Sequence, residues 1–171
     1  LARRLKQTTF TALYSSDLLR ALQTAQTLAD VAGLQVRPTP GLRERHYGAM
    51  QGMTFEDMLA RDASTAQRFR ARDLHFDFAG GETLLGFVDR VHVTIETLVA
   101  AHAGETLLLV THGGVLDIVY RRATGRDLTS PRDFSVPNAA LNWIEVIGDR
   151  WHLDAWADTA HLVRTLAQSA E

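Results

Sequence analysis

The sequence predicts a three-layer α/β/α domain built around a mostly parallel sheet. Short apolar strand runs alternate with amphipathic helical segments, which is the pattern of layered α/β folds. The most apolar run, Thr106-Leu107-Leu108-Leu109-Val110, is unbroken, as expected of a parallel strand covered on both faces. With 171 residues, 46% hydrophobic and 22% charged, the chain suits one domain whose core needs neither disulfides nor a structural metal. One domain over 1–171 is therefore expected.

Leu1-Ala2-Arg3-Arg4-Leu5-Lys6 reads as the back half of an amphipathic helix with Leu1 and Leu5 facing inward. The natural protein is accordingly expected to begin upstream of Leu1, where any signal peptide would also lie. Thr11 to Tyr14 reads as a buried strand, after which Ser16 or Asp17 can cap a helix running to about Val31 and stopped by Gly33. Leu34 to Pro38 alternates as a second strand and leads into the polar segment Leu42 to Gly48. Residues 54–79 are arginine-rich and weakly periodic, and are expected to form a helical flap over one end of the domain. Gly80-Gly81-Glu82-Thr83 opens a long helix with Leu84, Phe87, Val88, Val91, Ile95, Leu98 and Val99 on one stripe, ending at Gly104. After the apolar strand come Thr111-His112-Gly113-Gly114 and a helix to about Thr124, followed by Gly125. Leu141–Ile147 and Trp151–Trp156 flank Gly148-Asp149 and predict a hairpin.

Several function classes fall away at this level. A net charge of −2 gives no support for nucleic acid or an anionic membrane surface as the main partner. No apolar run approaches the roughly 20 residues that span a bilayer. The absence of cysteine removes thiolate catalysis and cysteine-ligated metals, and suits a reducing, cytoplasmic setting. There is no Walker loop, GxGxxG, GxSxG or HExxH motif, so hydride transfer, nucleotide-driven chemistry and zinc proteolysis lack their usual parts.

Polar residues at three strand ends remain. In open α/β sheets, ligands bind beyond the carboxyl ends of the strands, where helix N-termini point N–H groups at them. Arg20 lies in the first turn after one such end, where the helix dipole disfavours a cation, so an anion partner would account for it. Taken alone, it reads equally as a solvated arginine. His112 ends the most apolar strand, and Gly113 and Gly114 let the backbone approach a ligand closely. Glu44 supplies a carboxylate between two arginines, and spacing alone does not separate it from an ordinary ion pair. His46 and His75 lie in segments that could cover this end. His92, between Asp89 and Glu96, is expected on the solvated face of the long helix, and His102 near that helix's C-terminus, where the dipole favours a cation.

These segments together resemble the histidine phosphatases, the phosphoglycerate mutase-like superfamily. Tyr14-Ser15-Ser16-Asp17-Leu18-Leu19-Arg20 looks like the family's second arginine motif. Leu42-Arg43-Glu44-Arg45-His46-Tyr47-Gly48 looks like the general-acid block, Gly81-Glu82-Thr83 like the start of the long helix, and Thr111-His112-Gly113-Gly114 like the second histidine block. The resemblance covers nearly the whole chain and implies a phosphoglycerate mutase-like fold. It implies Arg20 and His112 as phosphate ligands and Glu44 as proton donor. Arg45, His46, Tyr47 and Gly113 are expected substrate contacts, as are Arg70 and Arg72 from the mixture of arginines and aromatics in the flap.

The family's Arg-His-Gly segment, with the nucleophilic histidine, is absent from the sequence and is expected upstream of Leu1. The implied reaction is metal-independent phosphomonoester hydrolysis through a phosphohistidine, with no cofactor. The partner is a small phosphorylated metabolite rather than nucleic acid or membrane, and a homodimer is the candidate assembly. Glu44-Arg45-His46-Tyr47-Gly48 also has the wording of cofactor-dependent phosphoglycerate mutases, isomerases that keep phosphate on the substrate. The short excursion between Gly52 and Gly80 resembles the phosphatase branch instead. A non-catalytic phosphoester-binding domain is the remaining alternative.

Overall fold

The computed structural model describes residues 1–162, so the last stretch of the expected domain, 163–171, lies outside the described residues. Helix α1 (Ala2–Leu5) precedes strand β1 (Ala12–Ser15), helix α2 (Leu19–Ala32) and strand β2 (Val36–Pro38). Two 3₁₀ turns, Pro40–Leu42 and Gly48–Met50, lead to helices α3 (Phe55–Arg61) and α4 (Ala63–Arg70). Then come α5 (Leu84–Ala101), β3 (Leu107–Val110), α6 (Gly113–Thr124), β4 (Leu141–Ile147) and β5 (Arg150–Asp158). β1 lies between β2 and β3 and pairs in parallel with both, so the parallel α/β expectation holds. β4 and β5 form the expected antiparallel hairpin as a separate two-stranded sheet.

The layers follow from the two-residue period of the strands. Leu13, Leu108 and Val110 point to one face and pack with Leu5, Ala21, Ala25, Leu28 and Ala29 of α1 and α2. Tyr14 and Leu109 point to the other and pack with Phe87, Val91, Ile95, Val115 and Ile118 of α5 and α6. β4 obeys the same alternation: Leu141 and Trp143 join the first core, Ile144 and Val146 the second. The hairpin therefore lies in the sheet layer although it is not hydrogen-bonded to β3.

β3 is covered on both faces as expected, by α1 and α2 through Leu108 and Val110 and by α5 and α6 through Leu109. Two local expectations need correction. Neither Ser16 nor Asp17 caps α2; Leu18 is the N-cap and makes no side-chain capping bond. Ser16 Oγ instead accepts from the Leu18 N–H, and Asp17 pairs with Arg43. His92 is not solvated. The hairpin covers it with Trp151, 5.7 Å away ring to ring, leaving its Nε2 buried and unbonded. Burial, helped by the Arg122 charge, holds its pKa below the usual histidine value. His102 does sit at the C-cap of α5, bonded to the Tyr14 hydroxyl at 2.8 Å and to Glu105 at 2.6 Å.

Residues 54–79 form two short helices with a small core of their own, Met50, Met58, Ala66 and Phe78, ringed by Tyr47, Phe69 and Phe76. Thr54 caps α3 through a capping box with Asp57, and Asp62 caps α4, which is why two helices form where the periodicity is weak. Among the described residues no helix is long and apolar enough to cross a membrane.

Candidate active site

The carboxyl ends of β1 and β3 carry the chain directly into Ser16 and His112, so both residues are positioned by the sheet. His112 is the N-cap of α6 and is buried, with Nε2 2.7 Å from Ser16 Oγ. Ser16 is itself fully buried. Arg20, in the first turn of α2, is exposed, and its guanidinium has no hydrogen bond or ion pair among the described residues. It lines a cleft of about 550 Å³ together with Glu44, His46, Gln51, Glu82 and Arg90.

The segment that brings Glu44 here is held along its length. Thr111 Oγ1 donates to the Leu42 carbonyl at 2.9 Å, and Arg90 donates to the carbonyls of Gly41 and Arg43 at 2.8 and 3.1 Å. Glu82 takes Arg90 in a bidentate pair, both bonds at 2.7 Å, and accepts the His46 N–H at 3.1 Å. Burial alone would raise the Glu82 pKa; these donors outweigh it and hold the group below the usual carboxylate value.

Glu44 then meets the start of α6. Its Oε2 accepts the Gly114 N–H at 2.9 Å and its Oε1 accepts the Arg45 N–H at 2.9 Å. A helix N-terminus is a natural place for a carboxylate, since the first N–H groups lack intrahelical acceptors. The contact is so close that a Cβ on Gly114 would overlap the Glu44 carboxylate. Arg20, Glu44 and His112, far apart in sequence, are thus brought to one end of the sheet.

Electrostatics ties the three together. Burial depresses the His112 pKa, the Arg20 charge lowers it further, and the Glu44 carboxylate opposes both. The unliganded site therefore favours the neutral imidazole. An anion seated between Arg20 and His112 would reverse that preference, because it favours the imidazolium. The expected result is an upward shift of the His112 pKa when inorganic phosphate is added, read from its ring resonances in an NMR titration. An unmoved titration would remove the anion site.

The other expected contacts are distributed unevenly. His46 lines the cleft, with Nδ1 accepting the Gly48 N–H at 3.2 Å. Tyr47 is half-buried against Phe69 and Phe78. Burial, then the Glu44 charge, raises its pKa and keeps the phenol protonated. Gly113 opens α6, and a Cβ there would meet only Val136 Cγ1, at 3.9 Å.

Arg45 lines the same cleft, with its guanidinium tied down. Its buried guanidinium donates to the Glu82 and Phe76 carbonyls and lies over the Tyr47 and Phe78 rings, so it braces the loop. Arg70 is exposed at the end of α4, with no polar partner among the described residues. Arg72 turns inward, donating to the Leu128 carbonyl and pairing with the Asp117 carboxylate of α6 at 2.6 Å, so it anchors the 54–79 segment to the body of the domain. His75 is exposed on that segment.

Sequence reasoning did not identify Ser16 as the partner of His112 or Arg90 as the clamp on the acid loop. Among the described residues no group of three or more His, Cys, Asp or Glu side chains could hold a metal ion.

Similarity to known proteins places the chain in a family. The chain is 34% identical over 156 residues to phosphoglycerate mutase-like protein 4 of Arabidopsis thaliana, covering 90% of this chain and 66% of the relative. It is 32% identical over 153 residues to the metal-independent phosphoserine phosphatase of Arabidopsis thaliana, covering 88% of this chain and 63% of the relative. It spans just under two-thirds of the length of each. Bacillus stearothermophilus YhfR superimposes with a TM-score of 0.85 at 28% identity, covering 94% of this chain and 80% of that one. The sequence pattern of the histidine phosphatase superfamily (branch 1) matches residues 1–159, and to that superfamily the chain belongs.

Proposed function

We propose that the protein is a phosphomonoester hydrolase that works through a phosphohistidine, its nucleophilic histidine contributed by sequence upstream of Leu1. The observation that carries this reading is the convergence of Arg20, with its unpartnered guanidinium, and buried His112 on a carboxylate held at the N-terminus of α6. A relative that bears the name phosphoserine phosphatase supports hydrolysis. So do the two short helices of 54–79, the compact form of that excursion.

The chemistry divides into two displacements. The histidine nitrogen attacks phosphorus, a P–N bond forms, and the P–O bond to the alcohol breaks. Glu44 gives its proton to the leaving oxygen. Water then attacks phosphorus, loses a proton to Glu44, and the P–N bond breaks to release phosphate and regenerate the histidine. Arg20 and His112 would hold the charge that builds on the equatorial oxygens, and the planar guanidinium fork of Arg20 matches two of them. The Arg90–Glu82 clamp keeps the acid loop in place through both steps. His46 and Tyr47 face the substrate beside this centre, and the 54–79 segment, with Arg70 exposed on it, walls the approach. The proposed substrate is a small phosphorylated metabolite met in the cytoplasm, in line with a sequence without cysteine.

The test is phosphate release by the full-length protein from a panel of alkyl phosphomonoesters. Release of inorganic phosphate is the expected result. Interconversion of phosphoglycerates without net release would establish a mutase, the reading favoured by the name of the other Arabidopsis relative. Phosphate binding without turnover would leave a non-catalytic binding domain.

A further inference from the structure

A second group of titratable side chains lies away from the cleft. The Tyr14 hydroxyl is 2.8 Å from His102 Nε2, and His102 Nδ1 is 2.6 Å from the Glu105 carboxylate. Arg37 Nη1 donates to the same hydroxyl at 2.9 Å, with its guanidinium 5.4 Å from the centre of the Tyr14 ring. Tyr14 comes from β1, Arg37 from β2, and His102 from the C-cap of α5. His102 and Glu105 lead into the start of β3, whereas His112 follows its end. The imidazole of this group is therefore at the amino end of the sheet, away from Arg20, Glu44 and His112.

The donors and acceptors fix each proton. A carboxylate only accepts, so Glu105 takes the proton on His102 Nδ1, and the neutral imidazole then presents a lone pair at Nε2. A guanidinium only donates, so the phenol oxygen accepts from Arg37 and its own proton points to His102 Nε2. Carboxylate, imidazole and hydroxyl in that order form an oriented base on a nucleophile.

The surroundings suit the charges that attack would create. Passing the proton to His102 leaves an imidazolium beside Glu105 and at a helix C-terminus, where positive charge is favoured. The phenol oxygen keeps the Arg37 donor. His102 and Tyr14 are half-buried, while Arg37 and Glu105 are exposed, so the oxygen can be approached from the Arg37 side. A tie between β1 and α5 would need only the Tyr14–His102 bond. Arg37 on one side of the oxygen and Glu105 behind the imidazole add what a nucleophile needs. The other two tyrosines, Tyr47 and Tyr120, pack on aromatic rings instead.

We propose that Tyr14 is an acylation site, a nucleophile that takes acyl groups from activated esters independently of the phosphate chemistry. The phenol oxygen attacks the ester carbonyl carbon as its proton passes to His102 Nε2. The C–O bond to the leaving group breaks, and the departing oxygen takes that proton from His102. The products are an O-acyl tyrosine and the free alcohol, with the imidazole neutral again. Glu105 is the positioning residue, acting through His102.

The experiment treats the full-length protein with p-nitrophenyl acetate and follows acetyl groups by peptide mass spectrometry over time. Acetylation of Tyr14 is expected to outpace that of Tyr47 and Tyr120 about 10-fold or more, as base assistance would give. Hydroxylamine should remove the acetyl group, as it does from a phenol ester. His102→Gln is expected to slow the reaction at Tyr14 about 10²-fold, the low end of what a positioned base contributes. Glu105→Gln should slow it less, because the glutamine carbonyl still accepts from His102 Nδ1. A merely structural tie would change the melting temperature of these variants without singling out Tyr14. If His102→Gln does not fold, the comparison of Tyr14 with Tyr120 in the wild type decides. Tyr14 acetylated no faster than Tyr120, or equally fast in folded His102→Gln, overturns the proposal.

Discussion

Glu44→Gln is expected to lower kcat/KM for an alkyl phosphomonoester about 10²–10⁴-fold, the usual worth of a positioned general acid, while p-nitrophenyl phosphate loses far less. The two esters differ in what their leaving oxygen needs. An alkoxide is too basic to depart without a proton, whereas a nitrophenolate leaves unaided. kcat/KM is the parameter to compare because it reports only the steps up to departure of the alcohol and is blind to hydrolysis of the phosphohistidine. Glutamine is close to glutamate in shape, and its carbonyl can still accept one of the two N–H groups, from Arg45 or Gly114, that hold the native carboxylate. The other N–H would face an amide NH₂, so a small uniform loss on both esters accompanies the leaving-group effect. The ratio of the two losses is therefore the diagnostic. A ratio of one would remove Glu44 as the acid and leave it only as the carboxylate that orders the start of α6.

The sequence exposed the parts of this site whose position the backbone decides. Arg20, Glu44 and His112 each follow an apolar run by a few residues. In a parallel sheet such positions share the carboxyl end, so their convergence is legible from the chain alone. What was not legible depended on partners distant in the chain. Ser16 has the composition of a helix cap, yet its hydroxyl bonds His112, 96 residues away, and α2 begins without a side-chain cap. Arg45 sits beside the acid and reads as a substrate contact, and the Glu82 and Phe76 carbonyls that fix its guanidinium lie far along the chain. His92 shares a helical face with charged residues; only the hairpin, folded across the end of that face, buries it under Trp151.

Gly114→Ala is expected to cost activity without costing stability. Alanine is favoured over glycine within a helix by roughly 0.5–1 kcal/mol, and Gly114 lies in the first turn of α6. On propensity alone, thermal stability should hold or rise. The methyl group, however, would occupy the place of the Glu44 carboxylate, whose Oε1, Cδ and Oε2 are the three atoms nearest to it. Those atoms end a flexible side chain, so the acid moves and the helix stays. The displaced carboxylate gives up its bond to the Gly114 N–H and its aim at the leaving oxygen, and general acid–base help falls off once the group is outside hydrogen-bond reach. The expected loss on an alkyl phosphate is therefore of the same order as for Glu44→Gln, about 10²-fold or more, again with a smaller effect on an activated aryl ester. Combined with Glu44→Gln the two losses should not add, since both remove one proton donor. Gly113→Ala is the comparison: its methyl group meets only Val136, at an ordinary 3.9 Å, and should cost far less. If Gly114→Ala melts at or above the wild-type temperature and keeps full kcat/KM on alkyl esters, the seat of Glu44 on the α6 N-terminus plays no part in proton transfer.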